Sequence, residues 1–133
     1  MNIIEQLRRD EGIKYLPYED TEGNLSIGVG TLLPLDDNEV NALLEIRLNN
    51  ISRELHIAIP WIEQLDDVRW DALRNMAYNM GVPRLLEFKK MLSALRKGDF
   101  LLAGKEALDS QWAKEVGDRS LRIAKQLATG VME

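Results

Sequence analysis

Three apolar residues near the start, Ile3, Ile4 and Leu7, repeat at the three- and four-residue spacing of one helix face. Asn2 stands where a capping side chain belongs, and Gly12 can take the positive φ that ends a helix. The pattern predicts a helix over residues 2–11 with Glu11 at its C-terminal end. The spacing then changes. "KYLPY" (14–18) and "NLSIGV" (24–29) read as short strands, joined by "EDTEG", whose Asp, Thr and Gly suit a turn. Pro17 has no amide hydrogen to donate, which makes the first strand an edge strand.

Beyond Pro34 the helical period returns. Asp36 precedes Glu39 by three residues, the spacing of a capping box, and Val40, Leu44, Leu48, Ile51 and Leu55 then mark one face. A helix of about 20 residues at 1.5 Å per residue reaches across a small protein, so this one is expected to connect two lobes. A further helix is predicted from Asp66 to Met80, with Val68, Ala72, Leu73, Met76 and Met80 inward and Gly81 as its stop. After Pro83, Gly98–Asp99 and Gly117–Asp118 divide the rest into three shorter helical segments. The pattern as a whole predicts an α+β, predominantly helical protein, with a hairpin near the N-terminus and a helical bundle after it.

The chain has 133 residues and is 45% hydrophobic, which suits a single domain or two small lobes with a common core. It has no cysteine and one histidine, His56, so no disulfide framework, thiolate nucleophile or zinc site is expected, and no cofactor is called for. A lone His on a helix is expected to be structural or solvated, and Trp61 and Trp70 to belong to the core. No run of about 18 apolar residues occurs, and "MNIIEQLRRDEG" lacks the apolar stretch of a secretory signal. The expectation is a protein made without a signal peptide and not inserted in a membrane. The net charge of −5 argues against nucleic acid as a partner. It is unevenly spread: residues 1–88 carry −8 and residues 89–133 carry +3, so the last third is the part suited to an anionic polymer.

The stretch from Asp10 to Gly30 carries the candidate chemistry. Glu11 at a helix end, Asp20 in a turn and Ser26 on the following strand bring two carboxylates and a hydroxyl into one Gly-rich unit. Such a pair suits glycosidic hydrolysis, in which one acid protonates the leaving oxygen and the other carboxylate handles water or the sugar cation. The negative end of the helix dipole and partial burial favour the neutral acid at Glu11, whereas backbone donors in an open turn favour the anion at Asp20. "GVG" at 28–30 lacks the third glycine of a dinucleotide fingerprint; the glycines there more naturally bend a strand near a ligand.

The combination resembles a known family. "LRRDEGIKYLPYEDTEGNLSIGVG" is similar to the opening of phage lysozymes (endolysins) of the T-even type, muramidases with Glu, eight residues, Asp, five residues, Thr; here the pattern reads Glu11, Asp20, Ser26. The likeness continues in "LDDVRWDALRNMAYNMGV" (65–82), "FKKMLSALRKGDF" (88–100) and "DSQWAKEVGDRS" (109–120). It implies a single lysozyme domain, residues 1–133, of two lobes: a small antiparallel-sheet lobe with the connecting helix, residues 13–56, and a larger helical lobe, residues 57–133, on which helix 2–11 packs. The sugar chain would lie in the cleft between them. The implied activity is hydrolysis of the β-1,4 bond between N-acetylmuramic acid and N-acetylglucosamine in bacterial peptidoglycan. Glu11 would be the general acid, and Asp20 with Ser26 would activate water. Leu32, Tyr78, Asn79, Trp112 and Arg119 fall on substrate-binding or site-lining positions.

The resemblance also implies a monomer, synthesis in the host bacterial cytoplasm and release to the wall through the membrane lesion of a holin-type protein. The chain departs from the T-even pattern in places. Ser26 replaces Thr, Thr31 replaces His, and Met91 and Glu106 replace a Ser and an Asn that contact sugar. A segment between Leu33 and Asp36 is shortened. Two other readings of the same residues are a lytic transglycosylase, which needs only the acid, and an inactive peptidoglycan-binding module.

Overall fold

The computed structural model describes every residue, Met1–Glu133. Helix α1 (Ile3–Glu11) opens on Asn2, whose side chain accepts from the Glu5 amide at 2.9 Å while the Glu5 carboxylate accepts from the Asn2 amide at 3.1 Å. This reciprocal pair satisfies two amides that a helix start leaves free. Gly12 ends the helix at φ +75°, its amide bonding back to the Arg8 carbonyl.

Strands β1 (Lys14–Glu19), β2 (Leu25–Gly28) and β3 (Thr31–Leu32) form an antiparallel sheet in chain order. Lys14 pairs with Gly28 and Tyr18 with Ser26, so three residues of β1 stand against one of β2 between those pairs. Pro17 lies in this irregular stretch of an edge strand, where a missing donor disrupts no regular ladder. The third strand was not foreseen. Only two residues long, it is too short for a two-residue period to show in the sequence.

Helix α2 (Asp37–Ala58) begins at the predicted box: the Asp36 carboxylate accepts from the Glu39 amide at 2.8 Å and Glu39 accepts from the Asp36 amide at 3.0 Å. A 3-10 turn, Pro60–Gln64, leads to α3 (Asp67–Met80), followed by α4 (Val82–Leu86), α5 (Lys89–Lys97), α6 (Phe100–Leu108), α7 (Gln111–Val116) and α8 (Asp118–Thr129). Five helices thus follow Gly81 where three were expected. Phe88 opens α5 without a side-chain cap, so no residue type announced that break, and Ser110 opens α7 by accepting from the Ala113 amide.

The chain forms two compact units, Met1–Leu43 and Leu44–Glu133, with the division inside α2. In the second unit Leu55, Leu73, Met76, Leu85, Leu95, Trp112 and Leu127 are completely or almost completely buried, and Trp61 and Trp70 pack against that core. Helices α6 and α8 meet closely: a Cβ placed on Gly104 would lie 2.8 Å from the Ala124 carbonyl oxygen, so only glycine permits this approach. In the first unit Ser26 is the one buried residue, and Ile3, Ile4, Leu7 and Val40 are exposed. The face predicted for α2 is accordingly buried only near its end, at Leu55, with Leu48 and Ile51 partly covered. A sheet of so few residues has too little surface to cover the start of that helix. No helix is long and apolar enough to cross a membrane.

Candidate active site

The first unit carries Glu11 at the end of α1, Asp20 in the turn after β1, Ser26 on β2 and Leu32 on β3. Asp20 begins the turn that links β1 to β2: the Gly23 amide donates to the Asp20 carbonyl at 3.1 Å and the Asp20 amide to the Asn24 carbonyl at 2.8 Å. Gly23 has φ +83°, which a side chain would strain. The turn folds its amides onto the Asp20 carboxylate, whose Oδ1 accepts from Glu22 and Asn24, each at 2.9 Å. The Asn24 amide is the strongest influence holding this carboxyl below its ordinary range, helped by Glu22 and opposed by partial desolvation. Asp20 is therefore an anion held by main-chain donors, as the sequence led one to expect.

Ser26, on β2, pairs with Tyr18 on β1 and with Leu32 on β3. Paired residues share a face of a sheet, so Tyr18, Ser26 and Leu32 lie on one face. Ser26 is 2% exposed and Leu32 59%, so the hydroxyl is recessed beside an open apolar side chain.

Glu11 is exposed, not partly buried as expected. Its carboxylate approaches the β2–β3 turn, where Gly28 and Gly30 have φ +70° and +66°. The Glu11 carboxylate lies against Gly30, and a Cβ there would sit 3.1 Å from its Oε2 and 3.4 Å from its Cδ. The sequence suggested a glycine bend near a ligand, whereas the close neighbour of Gly30 is the candidate acid itself. Gly30→Ala should therefore cost about 1–2 kcal/mol for the backbone alone and also displace Glu11. Thermal unfolding and turnover measured together should show a lower Tm and a further loss of activity in protein that is still folded. Normal activity in the folded variant would mean that Gly30 does not hold the acid in place.

The second unit holds the remaining candidates in two groups. Tyr78 and Arg119 border a groove of about 380 Å³, together with Leu44, Leu48, Asp71, Arg74 and Asn75. Asn79 and Trp112 form a pair, the indole Nε1 donating to the Asn79 side-chain oxygen at 2.8 Å. Trp112 is 1% exposed and meets Phe88 edge-on at 6.3 Å, so its ring is packed as core. Its spacing from other residues could not have told a buried indole from an exposed one. Met91 is buried as well, and with Glu106 it borders a second cavity of about 580 Å³. His56 bonds to the Ser52 carbonyl through Nδ1 at 2.7 Å and meets Trp70 edge-on, both structural contacts.

Comparison with known proteins bears on this arrangement. The chain is 31% identical to the pre-baseplate central spike protein Gp5 of Enterobacteria phage T4, an alignment that covers 100% of this chain but 28% of that protein. It is 30% identical to probable T4-type lysozyme 2 of Dictyostelium discoideum, across 99% of this chain and 96% of the relative. Identity to the endolysin of Salmonella phage P22 is 30%, over 60% of this chain and 61% of that protein. The alignment to the spike protein runs over 164 positions against a chain of 133 residues, so the relative carries residues that have no counterpart here. Residues 8–127, which include every candidate residue named above, match the Phage lysozyme family model, and the chain therefore belongs to the phage lysozyme family of peptidoglycan-lytic glycoside hydrolases.

Proposed function

We propose that the chain hydrolyses the β-1,4 bond between N-acetylmuramic acid and N-acetylglucosamine, with Glu11 as general acid and Asp20 as the carboxylate that activates water. The observation that carries this reading is the Asp20 turn. A carboxylate held ionised by two main-chain amides, in the same unit as a second carboxyl on a helix end, supports a reaction in which Asp20 is the anion. Ser26 holds the water against Asp20 through its hydroxyl, which can both donate and accept. Leu32, Tyr78, Asn79 and Arg119 contact the sugar chain, and Trp112 acts from behind by fixing the Asn79 amide.

Product analysis tests the reaction. Purified protein incubated with bacterial walls should yield new reducing ends. Anhydro-sugar ends would instead indicate transglycosylation, and binding without new ends an inactive module. Ser26 supplies a finer test. Ser26→Thr keeps the hydroxyl and should stay within about tenfold of wild-type turnover, whereas Ser26→Ala should lose more than that with wall affinity unchanged. If the Ala variant is as active as wild type, Asp20 positions the water alone.

Delivery to the wall is proposed to follow synthesis in the host cytoplasm and passage through a holin-type lesion. The likeness to a phage spike protein favours a second route, in which a module of this kind reaches the wall as part of the particle. Fractionation separates the two: enzyme in cell lysates that crosses only when a lesion is made supports release, and enzyme that sediments with particles supports carriage.

A further inference from the structure

Helix α5 buries Met91, Leu92, Ala94 and Leu95 and leaves Lys89, Lys90, Ser93, Arg96 and Lys97 exposed. At 3.6 residues per turn these five exposed positions fall within about 120° of the helix circumference, so four cations share one face. No carboxylate stands among them. Elsewhere in the second unit arginines are matched, Arg69 by Asp66, Arg74 by Asp71 and Arg84 by Glu115, whereas none of the four cations of α5 is ion-paired with an acid of its own unit. Nine residues thus carry +4 in a chain whose total is −5. Lys89, Lys90, Ser93 and Lys97 also line a groove of about 580 Å³, together with Leu102 and Glu106 of α6. Asp99 borders it as well, but its carboxylate is taken up in capping α6 through the Leu102 amide at 3.3 Å.

Lysine meets an anion as a point charge on a flexible stem, without the fixed geometry of an arginine fork, so a row of lysines suits acidic groups that vary in position. The face is short. Lys89 and Lys97 are about 12 Å apart along the helix axis. Duplex nucleic acid, with a charge every ~1.7 Å, would run past it onto a chain that is otherwise acidic. Peptidoglycan carries its carboxylates sparsely, on its stem peptides and on the lactyl groups of sugars that have lost them. Contact with such a polymer at one small basic face is not undone by repulsion around it.

We infer that the exposed face of α5, with the groove it shares with α6, is a docking surface for the carboxylates of peptidoglycan; the inference rests on reading the chain as a wall-degrading enzyme. None of the residues assigned above to the reaction or to sugar contact lies on α5. The surface therefore holds the protein on the wall and leaves the rate of bond cleavage unchanged.

Lys89→Gln, Lys90→Gln, Arg96→Gln and Lys97→Gln combined in one variant test this, since the positions are exposed and Gln is about as good a helix former as Lys or Arg. A control variant with Arg47→Gln, Arg53→Gln, Arg122→Gln and Lys125→Gln removes the same charge from exposed positions of α2 and α8. Both are placed in a Glu11→Gln background, so that binding is read without cleavage. On purified sacculi free of phosphate polymers, at low salt, the α5 variant should bind about tenfold more weakly with a shallower salt dependence, and the control should stay within about twofold of its parent. With Glu11 intact, the α5 changes should raise KM on walls and leave kcat as it is. Glycan strands stripped of peptide by an amidase separate the two sources of carboxylate. A defect that persists on them assigns the contact to the lactyl groups, and a defect confined to intact sacculi assigns it to the stem peptides. Parental binding by the α5 variant, an equal loss in the control, or a loss seen with duplex DNA and not with sacculi would overturn the inference. Should the fourfold variant fail to fold, the pairs Lys89→Gln with Lys90→Gln and Arg96→Gln with Lys97→Gln are measured separately, and parental binding by both would overturn it as well. Wild-type protein that binds sacculi but makes no new ends would refute the hydrolase reading on its own, with the binding comparison still readable.

Discussion

Glu11→Gln is expected to lower turnover on bacterial walls by about 10³–10⁴-fold, because an amide of the same shape cannot give a proton to the leaving oxygen. The fold should survive. Glu11 is exposed at the last position of α1, and the helix is secured at its other end by the Asn2–Glu5 box. The change also removes a negative charge from the negative end of the helix dipole, an effect of about 0.3–1 kcal/mol that favours the variant. Turnover and thermal unfolding on one preparation check both halves of the expectation. A variant that is inactive because it has unfolded would refute the argument, and so would one that keeps a tenth or more of wild-type turnover.

Asp20→Asn should lower turnover by about 10²–10⁴-fold for a different reason. An Asn in this turn can still accept from the Glu22 and Asn24 amides through its side-chain oxygen, so the hairpin should form, but the base is gone. The two main-chain donors that place Asp20 also hold its carboxyl below the ordinary range, which fixes the sign of its pH effect. A group whose folded value is depressed stabilises the fold above its unfolded value and loses that contribution as pH falls through the folded one. Wild type should therefore exceed Asp20→Asn in Tm near neutrality, and the difference should vanish in acid. A constant difference across pH would mean that the charge of Asp20 adds nothing to the turn. An inverting path, the outcome expected with an intervening water, needs carboxyls about 6.5–9.5 Å apart and releases sugar of inverted configuration. A retained configuration would point to Asp20 as nucleophile instead.

Local chemistry made much of this arrangement legible in the sequence. Asn2, Gly12, Asp36 with Glu39, and Gly81 each stand where a particular backbone group needs them, and each bounds the helix it was read to bound. The Asp20 turn could be read because Asp and Gly there have conformational reasons to be where they are. What could not be read depends on tertiary packing. The burial of Trp112 rests on Asn79 and Phe88, which are distant in sequence and leave no local pattern. The contact of Gly30 with Glu11 spans the whole hairpin and leaves no local mark. The starts of α5 and α7 were missed because Phe88 provides no side-chain cap and Ser110 stands alone, without the acidic partner that marks a capping box.

Main-chain placement of Asp20 also bears on how such an enzyme could be adapted. The amides that hold the carboxylate belong to Glu22 and Asn24, and any residue but proline supplies the same amide. Glu22 is exposed, so replacing its side chain leaves the donor where it is. A lysine or a neutral residue at that position would alter the field beside the base, and with it the attraction for a polymer of like charge, without moving the reacting atoms. Salt tolerance and preference among walls of different charge density could then be tuned at a single surface codon.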